Sequence, residues 1–268
     1  MPETASAAAR ADSGFWSLET RELSVRFGGH VAVDGVSCGF RRGTLTAIVG
    51  PNGAGKTTYF NLISGQIRPT AGRVYLEGRD ITNMRTSRRA HAGIGRAFQL
   101  TNLFPDLTVQ ENIRLVLQSR AHLGIDMWRL WDGRRALLER TGQILEMVSL
   151  QHRRDKHVAV LSHGDQRKLE VGMLIALDPE VYMFDEPTAG MSVDEVPVIL
   201  DLIRALKKRS GKTVLLVEHK MDVVRELADR IVVLHNGAMV ADGDPETVIA
   251  LPVVQQAYLG LAPAVEAA

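Results

Sequence analysis

Apolar residues along this chain follow two periods, and stretches obeying each alternate. "TLTAIVG" (44–50) is a short unbroken apolar run ending in glycine. After "PNGAGKTT", "YFNLISGQI" has helical spacing, so the order is strand, glycine-rich loop, helix. "RVYLEG" (73–78) alternates and ends in Gly78, which predicts an edge or antiparallel strand, and "GIGRAFQ" (93–99) predicts another strand. From about 107 to 160 strand signals stop, and "LTVQENIRLVLQSR" and "RRALLERTGQILEMVSL" place apolar residues at helical spacing. Ser162 in "LSHGDQRKLEVG" is a plausible N-cap for a helix carrying Leu169, Val171 and Leu174. Strands return at "EVYMFDEP" (180–187), "TVLLVEH" (213–219) and "IVVLHNG" (231–237), with helices at 193–208 and 221–229 between them. Continuous apolar strands alternating with amphipathic helices predict an α/β fold with a mostly parallel sheet covered on both faces. The expected division is a flexible tail over 1–14, a core of 15–99 and 161–268, and an inserted helical subdomain over 100–160.

Composition narrows this only a little. The chain has 268 residues, enough for one α/β domain or a large lobe carrying a smaller one. It is 45% hydrophobic and 24% charged, the balance of an ordinary soluble globular protein. Lys plus Arg total 32 against 31 Asp plus Glu, so the net charge of +1 gives no support to bulk nucleic-acid binding, although "MRTSRR" (84–89) is a local basic patch. The tail "MPETASAAARADSG" lacks the apolar core of a signal peptide, and no stretch approaches the roughly 20 apolar residues that span a bilayer. Work at a membrane would therefore be by docking. Cys38 is the only cysteine, which excludes an internal disulfide and fits a reducing cytoplasm.

Candidate chemistry begins in "GPNGAGKT", which matches G-x-x-x-x-G-K-[ST] with Gly50, Gly55, Lys56 and Thr57. Backbone N–H groups of such a loop (Asn52, Gly53, Ala54, Gly55, with Thr58 opening the helix) converge on phosphate oxygens. Lys56 supplies charge to the β- and γ-phosphates, and the Thr57 hydroxyl ligates Mg²⁺. "VYMFDEP" carries Asp185 to the carboxyl end of a buried strand as a Mg²⁺ ligand, with Glu186 beside it to deprotonate an attacking water. His219 in "VEH" ends another strand, where it could hydrogen-bond a γ-phosphate. "HKMD" (219–222) has His219 where the guanine-reading N-K-x-D motif has Asn, and "DEPTAG" is not D-x-x-G, so GTP is rejected as the main reading.

With these motifs in this order, the chain resembles ABC transporter ATP-binding subunits from about Leu18 to Gly260, and looks most like those of branched-chain or hydrophobic amino-acid importers. "GDQRKLE" and "AYLG" (257–260) carry that closer likeness. The resemblance implies a P-loop NTPase fold of RecA-like type, with antiparallel N-terminal strands, and ATP and Mg²⁺ as cofactors. It implies that the L-S-G-G-Q signature of one subunit, matched by Ser162 and Gly164, closes over ATP held by another. It also implies that Gln99 links the metal and water site to the helical subdomain, and that Phe27 stacks on adenine. A core role for Phe27 is the competing reading. Departures are His163 for the first signature glycine, Asp165 for the glutamine, and Ser192 for the usual aspartate in "TAGMS".

The same resemblance implies a peripheral subunit on the cytoplasmic face of the inner membrane. Its partners would be a second ATPase subunit (identical or not), integral membrane subunits and, indirectly, an extracytoplasmic substrate-binding protein, with no nucleic acid. Urea import and lipopolysaccharide export use similar ATPases, and "LSHG" also fits the urea type. A soluble ABC-type switch ATPase would carry two cassettes or a long coiled coil, and a P-loop kinase would not need "LSHGDQ". Trp128 and Trp131 either pin the insertion onto its own helices or touch the membrane subunit or lipid headgroups.

Overall fold

Two long strands, β1 (Trp16–Phe27) and β2 (His30–Arg41), pair antiparallel through several register shifts, which break simple alternation and hide their bounds in the hydrophobic pattern. β3 (Leu45–Val49) and α1 (Lys56–Ser64) come next, then β4 (Ala71–Leu76), β5 (Arg79–Asp80), α2 (Thr86–Ala92) and β6 (Ile94–Ala97). Helices α3 (Val109–Arg120), α4 (Leu130–Met147) and α5 (His163–Leu177) precede β7 (Val181–Asp185). The remainder alternates: α6 (Val196–Lys208), β8 (Thr213–Val217), α7 (Met221–Leu227), β9 (Arg230–His235), β10 (Ala238–Gly243), α8 (Pro245–Ile249) and α9 (Pro252–Leu259). This computed structural model describes residues 16–97, 103–120, 130–208 and 211–259, without the side chains of 130–134 and 256–259. The expected tail, Gln99, Trp128 and the Trp131 side chain lie outside the described residues.

The strands form two sheets. One has the order β2-β1-β4-β5 and is antiparallel throughout, so "RVYLEG" is an antiparallel strand with neighbours on both sides. The other has the order β10-β9-β3-β8-β7-β6, parallel except for β10. All five residues of β3, β7 and β8 are buried, which explains their unbroken apolar sequences. Alternate residues serve opposite faces. Val181, Met183, Leu215 and Val217 pack toward Phe60 of α1 and Phe40 of the antiparallel sheet. Tyr182, Phe184, Val214 and Leu216 pack toward Leu169, Ile175, Ile199 and Ile203 of α5 and α6.

Residues 103–120 and 130–160 contain helix and turn, with one isolated bridge, Thr108 to His157. Thr108 and Glu111 start α3 reciprocally: the Thr108 N–H and hydroxyl donate to Glu111 Oε2 at 2.8 and 2.7 Å, and the Glu111 N–H donates back to Thr108 Oγ1 at 3.3 Å. Within "MRTSRR", Arg85 and Arg88 are exposed but Arg89 is inside the fold. Its guanidinium donates to the carbonyls of Leu62, Ile63, Thr82 and Met84 at 2.7, 2.6, 2.6 and 3.2 Å. Two of these close the end of α1, where carbonyls lack helical partners. Burial pulls the Arg89 pKa down to about 10. Cys38 on β2 is buried as well, and burial pushes its thiol up to about 12.

Candidate functional site

Parallel strands deliver their carboxyl ends to one edge of a sheet, and loops there can converge. Leaving β3, the chain turns through 50–55 and enters α1 at Lys56. Gly55 has φ +94, and a Cβ there would stand 2.4 Å from the carbonyl oxygen of Ala32, so only glycine lets the loop lie against the β1–β2 hairpin. Ala54 is buried and anchored, its N–H donating to Pro51 O at 3.1 Å and its carbonyl accepting from Gly237 N–H at 3.1 Å. Asn52, Gly53 and Thr57 are exposed. Lys56 Nζ donates to Gly50 O at 2.6 Å and Pro51 O at 3.0 Å. Burial lowers the Lys56 pKa, while the carboxylates of Glu186 and Asp185 push it back up.

Asp185 ends β7. Its carboxylate pairs with Arg96 Nη2 at 2.7 Å, both side chains being almost wholly buried. Burial raises the Asp185 pKa and Arg96 opposes the shift. Arg96 Nη1 also donates to Asn61 Oδ1, Ser64 Oγ and Gln66 Oε1 at 2.6, 3.1 and 3.2 Å, tying α1 and its end to β6 and β7. Sequence reasoning missed Arg96; the signal was an arginine inside the strand pattern "GIGRAFQ". Glu186 is half exposed, with φ +50. A non-glycine residue pays of order 1–3 kcal/mol for that left-handed backbone, and such strain clusters at functional sites. Its Oε1 lies 4.0 Å from His219 Nδ1, just beyond β8. The structure therefore brings Lys56, Asp185, Glu186 and His219 together.

Ser162 caps α5: its Oγ accepts from Asp165 N–H at 3.1 Å. Gly164 is buried beneath Glu195, and a Cβ there would be 2.2 Å from both carboxylate oxygens. Lys168 bridges Asp165 at 3.2 Å and Glu195 at 3.3 Å, so the acidic departure at 165 is neutralised within the chain. His163 packs on Gly190. Ser192 donates its hydroxyl to Glu195 Oε2 at 3.0 Å, just before α6. Among the described residues Ser162 and Gly164 make no hydrogen bond to the 50–57 loop. Phe27 ends β1 opposite His30 and is 50% exposed, which removes its core reading.

No cluster of three or more His, Cys, Asp and Glu side chains that could hold a metal occurs among the described residues. Mg²⁺ beside a triphosphate would need one or two protein ligands, otherwise taking water and phosphate oxygens. The loop at 52–57, exposed at Asn52, Gly53 and Thr57 and with Lys56 beside two carboxylates, fits a nucleotide polyphosphate.

The chain is similar to known ATP-binding cassettes over most of its length. The family model described as ABC transporter matches residues 33–189. The high-affinity branched-chain amino acid transport ATP-binding protein LivG of Salmonella typhimurium is 36% identical over 248 residues, covering 91% of this chain and 97% of the relative. The corresponding BraF of Pseudomonas aeruginosa is 37% identical over 250 residues, with the same coverage. A nucleotide-free ATP-binding cassette from an ABC transporter superposes with a TM-score of 0.77 at 32% identity, covering 91% of this chain and 99% of that one. The ADP conformation of an ATP-binding cassette gives the same score and identity, covering 91% and 98%.

Proposed function

Because this chain belongs to the ABC transporter family as an ATP-binding, ATP-hydrolysing subunit, we propose that it powers an importer of branched-chain or other hydrophobic amino acids. The amino-acid reading is supported by the relatives, which are named for branched-chain amino-acid transport. No helix among the described residues is long and apolar enough to cross a membrane. The chain works with integral membrane subunits from the cytoplasmic face, and an extracytoplasmic binding protein delivers the substrate.

The observation that carries the mechanism is the convergence of Lys56, Asp185, Glu186 and His219 at one sheet edge. ATP supplies the phosphoanhydride bond that is broken, and Mg²⁺ neutralises charge on its terminal oxygens. Backbone N–H groups of Asn52, Gly53 and Gly55 cradle the phosphates, joined by that of Ala54 once it leaves Pro51 O, with Thr58 on the first turn of α1. Lys56 releases its loop carbonyls to bind the β- and γ-oxygens. Thr57 and Asp185 would hold the metal, joined by Gln99, two positions after β6 in the sequence. Phe27, exposed at the end of β1, stacks on the adenine. Glu186 takes a proton from water while His219 holds the γ-phosphate. Ser162 and Gly164 act across a subunit boundary, the capped start of α5 offering its hydroxyl, N–H groups and positive dipole end to the partner's nucleotide. Closing of the pair moves the 100–160 lobe. The surface at Phe104, half exposed and with its backbone held by Asn112, passes that motion to the membrane subunit.

Glu186→Gln tests this reading. The variant should bind ATP like the parent, abolish hydrolysis, and abolish uptake of radiolabelled leucine in cells carrying it. Retained hydrolysis removes Glu186 as the base. Unchanged leucine uptake with lost urea uptake transfers the assignment to urea.

A further inference from the structure

Glu218 is completely buried one residue before His219, and a carboxylate in that position must be matched by donors. Three are present. The Thr188 hydroxyl donates to Oε1 at 2.6 Å, and the N–H groups of His219 and Lys220 donate to Oε2 at 2.9 and 3.3 Å. Thr188 is only 1% exposed, so water does not compete for its hydroxyl. Thr188 belongs to the turn just after Glu186, and the Glu186 N–H donates to Val217 O at 2.9 Å. That turn is therefore held to the end of β8 twice, by main chain at Val217 and by side chain at Glu218. His219 Nδ1 lies 3.8 Å from Glu218 Oε2 and 4.0 Å from Glu186 Oε1.

We propose that Glu218 and Thr188 form a buried latch that fixes Glu186 and His219 as one unit, making Glu218 a positioning residue for hydrolysis. The inference rests on the reading that Glu186 and His219 serve the γ-phosphate. Without the latch, the segments bearing them are joined by a single backbone hydrogen bond and the strand pairing behind it. The latch is short and charge-assisted, the strong class of hydrogen bond. It also explains how Glu186 keeps its left-handed backbone at φ +50, since strained dihedrals persist only where surrounding contacts over-determine them.

The test uses the full chain, with kcat and KM for ATP from steady-state hydrolysis, affinity from a fluorescent ATP analogue, and folding from circular dichroism. Thr188→Val removes the hydroxyl at nearly constant volume. Glu218→Leu removes every acceptor. Glu218→Gln keeps the shape: its carbonyl can accept from the two N–H groups while its amide donates to the Thr188 oxygen. Misplacement of catalytic groups should lower kcat about 10- to 100-fold in Thr188→Val and Glu218→Leu, with nucleotide affinity within about threefold of the parent. Glu218→Gln should recover most of the rate. The double variant should be no slower than the slower single one, since both break the same contact. A kcat within about twofold of the parent in Thr188→Val overturns the latch, and that variant decides the matter if Glu218→Leu fails to fold. Glu218→Gln as slow as Glu218→Leu overturns it too, because charge rather than placement would then be acting. Glu186→Gln run alongside separates the failures. If it still turns over, the hydrolysis reading falls; if it is dead while Thr188→Val runs at full rate, only the latch falls.

Discussion

Charged side chains in the interior of this protein act through what they touch. Arg89 satisfies four carbonyls from two separate segments, the end of α1 and the 82–84 turn. Replacing it with Met strands those acceptors in a dry site, so Arg89→Met should lower unfolding free energy by about 3 kcal/mol or more. A fall in the denaturation midpoint with unchanged slope is the expected record. Arg89→Lys should recover little, since one ammonium cannot reproduce the planar fork. Arg89, Arg96 and Glu218 are also the residues that sequence alone does not interpret. Each looks like a surface charge next to apolar neighbours, and its meaning lies in distant partners: Leu62 for Arg89, Asn61 for Arg96, Thr188 for Glu218. Lys56, Asp185 and Glu186 are legible because phosphate chemistry fixes their spacing within short local motifs.

Among the elements, the doubly covered strands are legible almost to the residue. The runs 44–50 and 213–219 correspond to Leu45–Val49 and Thr213–Val217, because burial on both faces demands continuous apolar sequence. β10, an edge strand with no residue fully buried, carries too weak a pattern to read, and α2, α8 and α9 are short. α5 is legible from its cap, and on the proposed mechanism that cap has two separable duties. Ser162→Ala should cost about 1 kcal/mol of stability, the usual value for a lost N-cap. A protein of ordinary stability stays almost wholly folded after such a loss. Hydrolysis should nevertheless fall more than about tenfold, as when a phosphate-binding donor is removed. Denaturation and turnover measured on one preparation check both, and a rate that tracks only the folded fraction would confine Ser162 to capping.

At the scale of the molecule, the start of α5 makes no hydrogen bond to the chain's own phosphate loop among the described residues. On the proposed arrangement, in which that start serves the partner's nucleotide, hydrolysis should need two copies. Specific activity should fall in proportion to concentration on dilution below the dissociation constant of the pair, giving a rate that rises with the square of protein concentration. Glu186→Gln with ATP should elute from size-exclusion chromatography at twice the monomer mass. Specific activity independent of dilution, with a monomeric trapped species, would sink the paired arrangement. The thiol of Cys38, buried on β2 beside Arg230 and pushed far above neutrality by burial, gives experimenters an opening here. Maleimides find nothing to alkylate on the native fold, so one engineered surface cysteine becomes a unique attachment point for a spin label. Distances between two such labels would then track the approach and parting of the halves without first deleting the natural residue.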